Sequence, residues 1–341
     1  MRLDSLLAPA QGKARAGRRL PWVEFGNRPD GRLWVLAVVA ALLILLFLTI
    51  DVQGHWDFVL PRRGRKVVAM VVVGYAISYA TVLFQTVTNN RILTPSMIGF
   101  DSLYMLIQTV VVFAFGALTL TTMPPGIRFL INAGLMMGFA GLLYRLLFQR
   151  EGRYLYFLVL AGIIFGTFFN SFTSFLQRLI DPNDFAVLQD RMFASFNSVP
   201  EELLLVAVAG VLAATGFSLR DAHRLDVLAL GRDHAINLGV EHERVVQRLM
   251  LVIAGLIAVS TALVGPITFF GLLVANLAYT LMPTYRHRYV IPAAALLGII
   301  ALVGGQLLVE RVFTFSTSLS VIINFIGGSY FIFMVLKESR A

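Results

Sequence analysis

A row of polar side chains interrupts one apolar segment of this sequence. Asn170, Thr173, Ser174 and Gln177 follow one another at i, i+3, i+4 and i+7, which places all four on one face of a helix. Amides and hydroxyls in such positions hydrogen-bond to a neighbouring helix, each bond contributing about 0.6 kcal/mol, or they line a wet pathway for a polar solute. The first use is the commoner one, and the spacing leaves both open.

The sequence does not place side chains in an arrangement that could bind a metal ion, bind a nucleotide or carry out covalent catalysis. The sequence has no cysteine and five histidines, and we assign all five to loops, without carboxylates in ligand spacing. It also lacks the G-x-x-x-x-G-K-[ST] loop that cradles ATP phosphates. We therefore predict no metal site, no catalytic residues and no bound cofactor on this chain. The histidines are His55, His223, His234, His242 and His287.

The composition is that of a membrane protein. Hydrophobic residues make up 58% of the chain and charged residues 14%, whereas about a quarter of the residues in soluble domains are charged. The mean hydropathy is +0.79. The net charge of +9 does not predict nucleic-acid binding, because the cations lie between apolar runs and not on one soluble face.

About 20 apolar residues cross a bilayer as a helix, and we predict ten such spans in an all-α integral membrane protein. One transmembrane domain, 33–336, follows a basic tail, 1–32, and precedes a short tail, 337–341. Asp and Glu are absent from the predicted span interiors, since Asp101 begins one span and Glu310 ends another. The predicted spans are 33–50, 67–87, 100–118, 127–147, 154–175, 201–219, 249–265, 267–283, 290–309 and 318–336.

Ten crossings return both termini to one side of the membrane. Most Lys and Arg residues then lie on that side, which the positive-inside tendency assigns to the cytoplasm. The polar island 220–248 becomes cytoplasmic as well. The cations of 62–66 are the exception, because they lie on the outer side. Pairs such as Gly134-x-x-x-Gly138 and Gly162-x-x-x-Gly166 predict close helix contacts.

Three motifs, which follow one another along the sequence, carry a family resemblance. The first comprises Gln85, Thr88, Asn90, Pro95, Ile98 and Gly99. The second comprises Leu230, Gly231, Ala235, Leu238, Gly239 and Val240, and the third is Gly-Pro-Ile-Thr-Phe-Phe-Gly-Leu within 264–274. Over residues 60 to 336 the chain resembles the FecCD-type permeases, the membrane subunits of bacterial ATP-binding-cassette (ABC) importers for iron-siderophores, haem and cobalamin.

The resemblance implies a type II ABC importer-like bundle in the bacterial inner membrane. Two permeases, identical or related, pair around a central pathway. Two cytoplasmic ATPases carry the ATP and Mg, and a periplasmic binding protein delivers the chelate. The variant of the first motif looks most like the iron-siderophore branch.

The resemblance also implies roles for individual residues. The residues implied to couple the permease to the ATPase are Leu228, Leu230, Gly231, Arg232, Asp233, His234, Ala235, Leu238 and Gly239, with Leu228 and Leu238 as apolar anchors. The residues implied to dock the binding protein are Arg62, Arg63, Arg65, Lys66, Glu310 and Arg311, and contact with lipid phosphates is the alternative role for the cations. The pathway residues are Gln85, Thr88, Asn90, Pro95, Gly99, Asn170, Thr173, Ser174 and Asn276.

The chain departs from the family pattern at three places. Arg91 replaces a proline, 275–279 replaces Pro-His-x-x-Arg, and Met192-Phe193 replaces Phe-Trp. The alternatives are an importer of haem or cobalamin, and an ion-coupled secondary transporter of a polar solute. A secondary transporter needs ionisable groups inside the spans. An intramembrane hydrolase would need a nucleophile facing a general base, which the sequence does not offer.

Overall fold

The computed structural model describes residues 28–52, 56–148, 155–197, 199–314 and 317–338. In these ranges all regular structure is helical, with two short 3-10 turns at Pro95–Ile98 and Leu219–Asp221. Most of the predicted basic tail, His55 and residues 339–341 lie outside the described residues. The helices are α1 Pro29–Thr49, α2 Trp56–Thr88, α3 Phe100–Thr122, α4 Pro125–Phe148, α5 Leu155–Gln177, α6 Pro182–Asp190, α7 Glu201–Ser218, α8 Ala222–Leu228, α9 Arg232–Asn237, α10 His242–Val264, α11 Phe270–Leu281, α12 His287–Arg311 and α13 Leu319–Glu338.

Within the described ranges, nine helical stretches are long and apolar enough to cross a membrane, and α11 is a shorter apolar helix. The predicted span 267–283 is therefore wrong at its start, since the helix begins only at Phe270. The preceding backbone is non-helical, with Gly265 at a φ of 100°, and Gly265, Pro266 and Ile267 are buried. Non-helical backbone is tolerated at membrane depth where protein surrounds it, so the eighth predicted span is a short helix preceded by irregular backbone.

Helix α2 is the centre of the bundle. Within it, 83% of the apolar stretch is buried, against 17% in α1, and α2 contacts α1, α7, α10, α11 and α12. Large apolar side chains on outer helices, such as Leu118, Leu205 and Phe325, are exposed. Because a bilayer core is as apolar as these side chains, the exposed belt fits a lipid environment.

Small residues set the closest helix contacts. A Cβ on Gly74 of α2 would lie 3.2 Å from the backbone of Gly298 on α12. A Cβ on Gly162 of α5 would lie 2.7 Å from the Cα of Ile98, so the predicted contact of the second glycine pair is confirmed. Around Gly134 and Gly138, however, no heavy atom of the described residues lies within 4 Å of such a Cβ.

Helix α3 breaks near its end and is joined there to the short helix α6. Gly116 has a φ of 78° within α3, a left-handed conformation that glycine adopts without steric cost. The N–H of Ala117 then donates to the Asp184 carboxylate of α6 at 3.2 Å. The last turn of α3 is thereby directed over α6.

Candidate functional site

Helices α8 and α9 form a short pair at one end of the bundle, called here the α8–α9 end. Gly231, before α9, has a φ of 97°, and Gly239, after it, a φ of 83°. Among the described residues no atom lies within 4 Å of a Cβ placed on either glycine. Both glycines are therefore needed for their left-handed backbone, which residues with a Cβ adopt only at a cost.

The surface of this helix pair is apolar at its tip and charged beside it. Leu230, Ile236 and Leu238 are 58%, 44% and 63% exposed, and a cluster of exposed apolar side chains is typical of a protein interface. The charged and polar residues Arg232, Asp233 and His234 are exposed next to them, whereas Ala235 is buried.

Leu228, one of the two predicted apolar anchors, does not lie on the surface. It is only 2% exposed and packs into the protein's own core, whereas Leu238 is exposed. Ile236 was missed by the sequence interpretation, although it lies between Ala235 and Leu238 in the same motif.

A buried carboxylate ties the helix pair to α10. Asp221 accepts hydrogen bonds from Arg224 at 2.8 Å and from Arg248 at 3.0 Å, and its side chain is 1% exposed. Because a carboxylate without a partner is costly to bury, this three-residue cluster holds the start of α8 against the bundle.

A second cluster ties α8 to α12 and α2. The Nδ1 atom of His287 lies 2.7 Å from Oδ1 of Asp226, and its Nε2 atom lies 2.7 Å from the Thr86 hydroxyl. The backbone N–H of His287 also donates to Asp226 at 2.9 Å. Beside them, Asn89 donates to the Leu228 carbonyl at 3.3 Å. Helix α8 is therefore joined to the central helix through His287, and to the turn that follows that helix through Asn89.

The assignment of the histidines to loops is thus wrong for those inside described helices. His287 begins α12, His242 begins α10, and His223 and His234 lie in α8 and α9. His287 is buried. The only sign of the His287 contact in the sequence is Asp226, a carboxylate among apolar residues. In the described residues no group of three His, Asp or Glu side chains could hold a metal.

Several predicted pathway residues converge on a single turn at the α8–α9 end. The carbonyl of Arg91 accepts from Gln85 at 2.6 Å and from Asn276 at 3.0 Å. Asn90 accepts from the N–H of Ile92 at 2.8 Å. Thr88 bonds back to the Phe84 carbonyl at 2.8 Å. These groups shape the turn that connects α2 with the 3-10 turn.

Two departures from the family pattern meet at this turn. The Arg91 guanidinium lies over the ring of Tyr279, 4.6 Å from its centre, a distance at which a cation is attracted to an aromatic face. The arginine that replaces a proline therefore contacts the tyrosine at the last position of the altered Pro-His-x-x-Arg run.

The 3-10 turn that begins at Pro95 packs against α5, and Gly99 follows this turn. Both residues are buried. Gly99 has a φ of 95°, and a Cβ there would lie 2.9 Å from the Cα of Gly166. Gly99 therefore allows the backbone after the 3-10 turn to lie close to the backbone of α5.

Asp101 is the carboxylate predicted to begin a span, and the structure places it at the start of α3. It is the second residue of α3, close to the hydroxyls of Ser96 and Thr268. Its Oδ2 atom is buried and has no partner among the described residues. Because Thr268 belongs to the non-helical segment before α11, Asp101 lies between two irregular stretches of backbone.

The polar row on α5 is only partly buried. Asn170 and Ser174 are exposed, and Thr173 is buried. The Thr173 hydroxyl and the Gln177 amide nitrogen lack partners in the part of the chain that is described. This face of α5 is thus left with polar groups that a second subunit or a solute could contact.

The predicted docking residues lie at the opposite end of the bundle, and most have partners in this chain. Arg63 donates to the final carbonyls of α1, including that of Ile50 at 2.5 Å. Arg62 is exposed. The ion pairs are Arg65–Glu201 at 3.2 Å, Lys66–Glu310 at 2.9 Å and Arg311–Asp51 at 2.7 Å.

Known proteins resemble this chain over most of its length. It is 52% identical over 314 residues to the petrobactin import system permease protein YclO of Bacillus subtilis, covering 92% of this chain and 99% of that protein. The petrobactin import system permease protein FatC of Bacillus anthracis is 37% identical over 280 residues, covering 82% of this chain and 79% of that one.

The fold agrees with a solved structure described as an inward-facing metal-chelate type ABC transporter. The TM-score is 0.77 at 20% identity, over 93% of this chain and 99% of that chain. A family model described as the FecCD transport family matches residues 32–337. This protein belongs to the FecCD transport family.

Proposed function

We propose that this chain is the permease subunit of an ATP-driven importer that moves an iron-siderophore complex into the cytoplasm. The observation that carries the proposal is the α8–α9 pair. Its apolar tip, Leu230, Ile236 and Leu238, is exposed, while its base is bound to α10, α12 and α2 through Asp221 and Asp226. An exposed tip on a firmly bound base suits a lever that a soluble ATPase moves.

Iron-siderophore is the substrate class that the relatives support best, since two of them are named as petrobactin permeases. We propose ferric petrobactin as the first chelate to test. In this proposal the iron crosses enclosed in its chelator, and the permease needs no cofactor of its own. Haem and cobalamin are the remaining alternatives within the family.

The working transporter in this proposal is an assembly. A second permease, identical or related, pairs with this one, and the polar face of α5 that carries Asn170 and Ser174 contributes to the pathway between them. Two ABC ATPases with ATP and Mg bind the α8–α9 tips. A binding protein docks at the opposite end, where Arg62 and Arg65 are exposed.

The proposed location is the bacterial cytoplasmic membrane, with both termini in the cytoplasm. Arg32, at the start of α1, donates to the Leu281 carbonyl at the end of α11, and α11 ends near the α8–α9 end. Most cations of the loops and tails lie on that side, in agreement with the positive-inside tendency.

The test is uptake by purified components. The permease with its ATPase, in proteoliposomes, is supplied with binding protein and ⁵⁵Fe-petrobactin, and we expect uptake that requires ATP. The buried Asp101 favours one competing function, an ion-coupled carrier, because intramembrane carboxylates commonly bind coupling ions. Uptake driven by an ion gradient in liposomes that contain the permease alone would refute the importer.

A further inference from the structure

A cavity of about 670 Å³ lies at the opposite end of the bundle. Its wall comes from the last turn of α3, the end of α6, the segment 191–197, the end of α12 and the start of α13. Six polar residues contribute to this wall: Asp190, Arg191, Ser195, Asn197, Gln306 and Ser318. The sequence interpretation assigned none of these six residues to a site.

The wall of the cavity is fixed by the protein itself. In segment 191–197, the N–H of Ala194 donates to Ser320 at 3.1 Å and that of Ser195 to the Val264 carbonyl at 2.8 Å. Ala194 and Phe196 are 3% and 2% exposed. The Asp184 bond to the broken end of α3 holds another part of the wall. Such a cavity is preformed, and a ligand would not have to order it.

Glu310, which contacts the cavity wall through Gln306, already has a cationic partner. Gln306 donates to Glu310 at 2.9 Å and to Asn197 at 3.4 Å. Glu310 in turn pairs with Lys66 at 2.9 Å, with both side chains largely buried. Glu310 therefore positions Gln306 and adds little negative charge to the cavity.

The remaining charges favour an anion. Across the described residues, Arg191 has no ion-pair partner, and its positive charge is felt by Arg128 on α4. Within the described residues, the Arg128 side chain donates to the Leu120 carbonyl at 3.4 Å. Among the described residues that line the cavity, Asp190 is the carboxylate and Arg191 the guanidinium, and Arg128, which does not line it, adds a second positive charge nearby. A guanidinium binds carboxylates and similar oxyanions with two parallel hydrogen bonds.

We propose that this cavity is a subsite for an anionic oxygen group of the transported iron chelate, and that Arg191 determines the preference for it. The inference rests on the proposed import function. The hydroxyls and amides around Arg191 supply donors for the same group, and the preformed wall selects its size.

The experiment uses the complete transporter in proteoliposomes with ⁵⁵Fe-petrobactin on its binding protein. Arg191→Gln is expected to lower maximal uptake about tenfold, the loss typical of one charge-assisted hydrogen bond, at an unchanged half-saturating concentration of binding protein. Arg191→Lys keeps the charge and should retain part of the rate. Arg145→Gln, an exposed cation near the end of α4 and outside the cavity, is the matched control and should transport normally.

A competing anion separates recognition from a structural role. Tricarballylate, a tricarboxylate without the hydroxyl group of citrate, should inhibit wild-type uptake from outside and lose this effect in Arg191→Gln. No inhibition of the wild type, or equal inhibition of both proteins, would refute the subsite. Uptake by the wild type tests the import function separately.

A phospholipid phosphate has the same chemistry as the proposed ligand, so the lipid is varied as well. The Arg191→Gln defect should be the same in phosphatidylcholine liposomes with and without phosphatidylglycerol. A defect that appears only with phosphatidylglycerol would assign the cavity to a lipid headgroup and overturn the proposal.

Discussion

The base of the α8–α9 pair and the cavity at the opposite end of the bundle use charge in opposite ways. At the α8–α9 end, carboxylates bind partners within the protein, the buried Asp221 two arginines and the partly exposed Asp226 His287, and the exposed tip is apolar. At the opposite end, Arg191 lines an open cavity and has no ion-pair partner in the described residues. Internal pairing stiffens a segment that must transmit movement, whereas a cation without a partner is free to bind a ligand.

The largest effect is expected at Asp221. Asp221→Asn leaves Arg224 and Arg248 without their shared carboxylate, and we expect the free energy of unfolding to fall by about 3 kcal/mol. Thermal denaturation of the purified permease measures this. Asp233→Asn, on the exposed side of α9, is the control and should leave the midpoint unchanged. Equal midpoints for Asp221→Asn and the wild type would show that the cluster does not stabilise this end.

The two glycines of the α8–α9 end should come next. Gly231→Ala with Gly239→Ala places a Cβ on left-handed backbone, at about 1 kcal/mol for each site. We expect ATP hydrolysis to continue with reduced iron uptake. Gly216→Ala is the matched control, because Gly216 lies in a helix with open space around it. Normal uptake in the double variant would argue against a lever.

The Asp226–His287–Thr86 cluster offers a sharper test of transmission. His287→Ala removes the link from α8 to α12 and α2, and we expect iron transported per ATP hydrolysed to fall about tenfold, or about 1.4 kcal/mol. His287→Gln, which can still hydrogen-bond, should retain part of the coupling. His223→Ala, an exposed histidine on α8, serves as the control. An unchanged ratio in His287→Ala would place transmission elsewhere.

The smallest effect concerns docking at the opposite end. Charge reversal at Arg63 or Lys66 would disturb contacts inside the protein, so Arg62 is the residue to change. Arg62→Glu should weaken binding-protein association two- to threefold at low salt and less at high salt, because exposed charges are screened. Surface plasmon resonance would measure this, with Arg286→Glu at the other end as control. Equal affinities at both salt concentrations would leave lipid contact as the role of this cation.

Close helix contacts show how far the sequence reaches. Both small-residue pairs, at 134/138 and 162/166, have the same spacing, but only the second meets another backbone within the described structure. The spacing of the glycines creates a flat helix face, but the packing of all the helices determines whether another segment covers that face. The same reason explains why Asn276 could be assigned to a pathway, although its amide holds the Arg91 turn.

The sequence by itself determined the membrane class, nearly all the spans, the glycine-bounded α8–α9 segment and the family, because apolar length and local backbone preference are properties of neighbouring residues. Only the tertiary structure decided that α11 is short, that His287 joins Asp226 and Thr86, and that Arg191 opens on a cavity. Those contacts link residues far apart in the chain, and their geometry exists only once the helices have packed.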